Sequence, residues 1–79
     1  MTKDEILWEV TLLFRDTLDV PDLVLRPETT AKDVEQWDSL THVELVAAVE
    51  KHFKIRFDSR TVQRFKNVGE MCDAIARGS

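Results

Sequence analysis

Cysteine, glycine and proline are scarce in this 79-residue chain, which has one Cys, two Gly and two Pro. The single cysteine, Cys72, cannot close an internal disulfide, so the fold is expected to hold by packing alone and to suit a reducing, cytoplasmic setting. No apolar run approaches the roughly 20 residues of a membrane span, and Met1-Thr2-Lys3-Asp4-Glu5 lacks a signal peptide's charge-then-apolar order. Alternating apolar strands and Asn-Gly or Asp-Gly turns are missing too, which argues against a sheet. A chain this short forms one domain, taken as 1–79, and leaves little room for a deep substrate cavity, so a self-contained enzyme is not expected. With 15 acidic against 11 basic side chains the formal charge is −4, which disfavours general nucleic-acid binding.

What remains reads as helix. Thr2 and Glu5 stand at capping-box spacing and open a first helix that ends by about Val20, before Pro21. Its core stripe is Ile6, Val10, Leu13, Phe14 and Thr17. Trp8 and Leu12 fall on the other side and are expected to pack under the next segment. Residues 21–37 carry both prolines and irregularly spaced apolar groups, and form a long structured loop of the kind that is often functional. A second helix runs from Asp38-Ser39 to about Phe53, with Leu45, Val46, Val49 and Phe53 facing the core and Val43 leaning the same way. Leu40, Glu44, Ala47 and Lys51 form its outward stripe. Residues 55–66 give a short third helix. Asn67 to Ala76 gives a last one, with Val68, Met71, Cys72, Ile75 and Ala76 inward and a frayed end at residues 77–79. The fold class is all-α: a small four-helix bundle, three longer helices and one short, with a long loop between the first and second.

Charge is uneven along this frame. Residues 1–53 hold 12 acidic and 5 basic side chains, whereas residues 54–66 hold Lys54, Arg56, Arg60, Arg64 and Lys66 against Asp58 alone. That segment is either a solvated face or a docking patch.

Few residues could carry chemistry. From its position, Ser39 is an N-cap. Asp38, Ser39 and His42 cannot form a triad, because neighbours at a helix start splay by about 100°. His42 is expected to be a packed, neutral imidazole and His52 a surface group; ten residues apart on one helix, roughly 15 Å, they cannot share a metal. Cys72 lies on an apolar stripe and reads as an inert core thiol.

The stretch Trp37-Asp38-Ser39-Leu40-Thr41-His42-Val43-Glu44-Leu45 resembles the Asp-Ser-Leu motif that opens the second helix of acyl carrier proteins. The similarity continues through Val46-Ala47-Ala48-Val49-Glu50-Lys51-His52-Phe53 and Ile55-Arg56-Phe57, and the helix order and length match the family end to end. The resemblance implies that Ser39 carries a 4'-phosphopantetheine arm whose thiol holds acyl groups as thioesters, with Asp38 recognised by the phosphopantetheinyl transferase that installs it. It further implies docking on the second helix, where Leu40 makes an apolar contact, Glu44 and Glu50 meet basic partners, Ala47 flanks the arm and Lys51 lies on the same surface. Acyl-loading and acyl-processing enzymes would be the partners of a monomeric shuttle.

Two departures stand out. Lys51 and the basic 54–66 segment occupy positions where familiar fatty-acid carriers are acidic, and Trp37 replaces a commoner small residue. Both lean toward a polyketide or other specialised pathway, and Trp37 by itself reads as a hydrophobic lid on the loop. An aminoacyl or peptidyl carrier shares the same bundle. An unmodified helical adaptor, using Trp8 and Leu12 or the basic segment, would leave Ser39 as a cap only.

Overall fold

The computed structural model describes residues 2–63 and 65–78. Arg64, counted among the cations above, and Ser79 of the expected frayed end lie outside them. Helices α1 (Lys3–Leu18), α2 (Ser39–Phe53), α3 (Ser59–Gln63) and α4 (Val68–Ala76) follow in order, with no strand among the described residues. The all-α bundle of three longer helices and one short is present, with its long loop between α1 and α2.

Helix ends follow local chemistry. At α1, the Glu5 N–H donates to Thr2 Oγ1 (3.2 Å) while the Thr2 N–H donates to Glu5 Oε1 (2.8 Å), closing the capping box. The Thr2 N–H first, and the Thr2 hydroxyl second, favour the ionised carboxylate and hold Glu5 below its ordinary pKa. Asp19 and Lys54 take left-handed backbone angles (φ 57° and 58°) to end α1 and α2. Asn67 caps α4 by accepting the Glu70 N–H at 2.9 Å. The third helix is shorter than expected. Residues 55–58 are irregular, and Asp58 Oδ1 takes the Thr61 N–H at 2.7 Å to start α3 only at Ser59. Arg77 and Gly78 close α4 through N–H bonds to Asp73 and Ile75 carbonyls, with φ +74° at Gly78.

The core lies where α1 meets α2 and α4, and Val10, Phe14, Leu45, Val49, Val68 and Met71 are fully buried there. On α1, Ile6, Val10 and Phe14 are buried as expected, but Thr11 and Leu18 complete the stripe, and Leu13 and Thr17 are only half-buried. Thr11 is tolerated inside because its hydroxyl donates to the Leu7 carbonyl at 2.8 Å. On α4, Ala74 is buried and Ala76 is exposed, reversing the expectation for Ala76.

Trp8 and Leu12 also differ from expectation: they do not pack under the loop and are 54% and 40% exposed. The loop is anchored elsewhere. Leu25, Val34 and Trp37 plug into the core, Arg15 Nε donates to the Leu23 carbonyl at 2.8 Å, and the Arg15 guanidinium lies 5.4 Å from the Trp8 ring centre. The far side of the loop is held by α4, whose first two amides donate outward, Val68 to Thr29 O (2.9 Å) and Gly69 to Pro27 O (2.7 Å).

That second bond needs a glycine. A Cβ on Gly69 would sit 2.9 Å from the Pro27 carbonyl oxygen and 3.3 Å from Asn67 Oδ1. Gly69→Ala should therefore lower the unfolding free energy by about 1–3 kcal/mol, despite alanine's better helix propensity. Urea denaturation checks this, and an unchanged midpoint would show that the loop yields without cost.

Candidate functional site

The site is built around the start of α2. Asp38, not Ser39, is the N-cap: its Oδ1 accepts the N–H groups of Leu40 (3.0 Å) and Thr41 (2.9 Å). Thr41 Oγ1 answers by accepting the Asp38 N–H at 2.8 Å and donating to the Gln36 carbonyl at 2.8 Å. The expectation that Ser39 caps the helix is thus corrected, because a carboxylate one residue earlier takes the same amides. Ser39 is left as the first helical residue, exposed, with its hydroxyl in no hydrogen bond among the described residues. Hydrogen bonds from the Thr41 amide first, and from the Leu40 amide, hold the Asp38 carboxyl below its ordinary pKa of 3.8.

Trp37 fixes where this turn sits. Its indole is 4% exposed and meets Phe14 edge-on at 5.0 Å between ring centres, so it is a core anchor rather than a surface lid. Its Nε1–H donates to His42 Nδ1 at 3.1 Å. An indole N–H can only donate, so Nδ1 accepts and the other nitrogen carries the proton toward the Val62 carbonyl, 3.4 Å away. His42 is half-buried where a fully packed ring is expected, and it ties the loop, α2 and α3 together. His52 is exposed, 3.0 Å from Glu9 Oε1. No cluster of His, Cys, Asp or Glu suited to a metal occurs among the described residues. A shallow cleft of about 350 Å³, walled by Trp37, His42, Val62 and Phe65, opens beside Ser39.

Beyond Ser39 the outward stripe is as expected at Leu40, Glu44, Ala47 and Lys51, all exposed, with Leu40 at 72%. Val43 was expected to lean inward but is 65% exposed. Three residues after Leu40, it shares that face, a spacing that could have placed it there. Glu50 is half-buried, and its Oε2 accepts the Phe57 N–H at 2.8 Å. No local pattern announces this bond, which depends on how the chain returns after Lys54.

With this geometry in view, the comparisons with known proteins converge. Residues 8–75 match the family model described as the phosphopantetheine attachment site. The chain belongs to the acyl carrier protein family. It is 32% identical over 79 residues to an acyl carrier protein of Acidothermus cellulolyticus, covering 100% of this chain and 94% of that one. It is 33% identical over 76 residues to one of Thermosynechococcus vestitus, covering 95% and 93%. The solution structure of the holo acyl carrier protein of Geobacter metallireducens superposes with a TM-score of 0.87 at 38% identity, over 92% of this chain and 84% of that one. Membership makes the chain a carrier and not an enzyme, with 4'-phosphopantetheine as its covalent cofactor.

The residues present suit that group. An exposed, unengaged hydroxyl at a helix N-terminus lies in the favourable end of the dipole, although Asp38 already occupies the Leu40 and Thr41 amides, so the helix start is not an open cradle of donors. A carrier thiol also has to be the reactive one. Burial first, and the Asp73 charge second, push the Cys72 thiol up to about 11.

Two outcomes follow. Asp38's lowered pKa means that its contribution to stability is complete above the ordinary value and is lost as pH falls through the lowered one. The gap in melting temperature between the wild type and Asp38→Asn should therefore narrow as pH falls from about 5 to about 2. A gap independent of pH would refute the assignment. For Cys72, only about one thiol in a thousand is ionised at pH 8, so a disulfide reagent should label the unmodified native protein slowly and the urea-unfolded protein at once.

Proposed function

We propose that Ser39 is the attachment point of the phosphopantetheine arm, within a single carrier domain spanning 1–79, and that Asp38 is read by the installing transferase. The observation that carries this reading is the division of labour at the start of α2. Asp38 does the capping, so the Ser39 hydroxyl is exposed and free for a phosphodiester without cost to the helix. The Geobacter metallireducens neighbour, a holo acyl carrier protein by its description, supports it.

When bound, the arm supplies a terminal thiol that holds acyl groups as thioesters and moves them between enzymes. This chain's own part is to hold the anchor and present a docking face. Trp37 locks the turn before Ser39 into the core, Asp38 starts α2 beside it, and Leu40, Glu44, Ala47 and Lys51 lie outward along the same helix, with Glu50 bracing the turn at its far end. Partners are then acyl-loading and acyl-processing enzymes of a polyketide, fatty-acid-like or other specialised pathway, served by a cytoplasmic monomer. The basic residues after α2 favour a specialised pathway over general fatty-acid supply.

Intact mass measurement tests the assignment. Incubation with coenzyme A and a broad phosphopantetheinyl transferase should add one arm to the wild type and none to Ser39→Ala, which should keep the circular dichroism and melting temperature of the parent. A wild-type mass that does not change with several competent transferases would instead favour the unmodified adaptor. Addition to Ser39→Ala would place the arm elsewhere.

A further inference from the structure

The outward face of α2 changes character along its length. Leu40, Val43 and Ala47 make an exposed apolar strip beginning beside Ser39. Beyond it the left-handed Lys54 turns the chain back, so that Lys51, Lys54 and Arg56 rim one open groove of about 830 Å³, walled further by Ala47 and Ile55. Glu50 lines the same groove, its Oε2 accepting the Phe57 N–H, and one acid against Lys51, Lys54 and Arg56 leaves the groove net positive. Lys51, Lys54 and Arg56 are exposed, and none has a carboxylate within ion-pair distance among the described residues. Complementing the C-terminal dipole of α2 accounts for Lys51 but not for Arg56, which lies past the helix end.

We propose that this face docks a partner protein whose own surface is acidic, with an apolar patch receiving Leu40, Val43 and Ala47 and a carboxylate cluster meeting Lys51, Lys54 and Arg56. The two features are spaced by α2 itself: Lys51 is eleven residues past Leu40, about 16 Å along the axis. The inference rests on the carrier reading and names the surface chemistry of the enzymes that reading requires. Charge supplies the commitment to one occupant. The chain is −4 overall, and residues 1–53 hold most of its acids. An acidic partner is therefore repelled in most approaches and attracted at this end, which orients it with Ser39 facing its apolar patch. Glu44, exposed near Ser39, makes the stripe bipolar and penalises the reversed orientation.

A defined probe tests this without the enzymes. A helical peptide with a leucine anchor and a cluster of glutamates about three turns away, and a second peptide with lysines in place of those glutamates, are titrated into isotope-labelled protein by NMR. The proteins are wild type, Ser39→Ala and the triple variant Lys51→Glu, Lys54→Glu, Arg56→Glu. The glutamate peptide should bind wild type and Ser39→Ala alike, about tenfold or more tighter than the lysine peptide. Its shifts should centre on Leu40, Val43, Ala47, Lys51, Lys54 and Arg56, and raised salt and the triple variant should abolish them. If the triple variant loses its fold, Lys54→Gln and Arg56→Gln singly should each weaken binding severalfold. Binding of neither peptide, a preference for lysine, binding that survives charge reversal, shifts centred on Trp8 and Leu12, or self-association through the cations would each overturn the proposal. Because Ser39→Ala is expected to bind normally, failure here is separate from failure of the attachment reading, which the mass measurement decides.

Discussion

The start of α2 depends on one carboxylate being in the right place. Asp38 accepts two backbone amides that a helix otherwise leaves orphaned, and in doing so it relieves Ser39 of that duty. A free hydroxyl on the first turn of a helix is unusual chemistry for a serine, which there tends to bond its own backbone. The proposed attachment needs an oxygen that is held in place but not engaged, and the Asp-Ser order provides it.

The position of that carboxylate is itself set by the core. Trp37 is buried against Phe14 on α1 and hydrogen-bonded to His42 on α2, so the residue before the cap is clamped from both sides. The long loop reaches Trp37 by way of Leu25 and Val34, and is held from outside by α4 amides on the Thr29 and Pro27 carbonyls. A segment with no regular structure is thereby ordered through backbone groups that belong to a distant helix. The two ends of α2 have opposite solutions to the same problem. An aspartate satisfies its amides at the start, and at the finish a left-handed Lys54 and the inward Glu50 organise the return of the chain.

Much of this was legible in the residues. The capping signals at Thr2 and Asn67 and the outward stripe of α2 follow from spacing of 3.6 residues per turn and from side-chain chemistry. The site was legible only in part. Read as a pattern, Ser39 is a cap, and its proposed role as an anchor comes through the family resemblance of the Asp-Ser-Leu stretch, not from periodicity. Periodicity set Trp8 and Leu12 outside the core stripe, as found, but the cover expected over them from the loop and the inward lean expected of Val43 are absent. It says which face of a helix a residue shares, but not whether another element arrives to cover that face.

The sequence by itself therefore determined the order of the helices, the caps at Thr2 and Asn67 and, through the Asp-Ser-Leu stretch, the family, because each is carried by residues close together along the chain. Only the tertiary structure decided that Leu25, Val34 and Trp37 seat the long loop in the core, that Glu50 turns to the Phe57 amide, and that Trp8 stays in the open beneath Arg15. Those outcomes hang on where the backbone returns after each loop. A competition among several possible donors for one acceptor is settled by distance in space, which one-dimensional spacing does not contain.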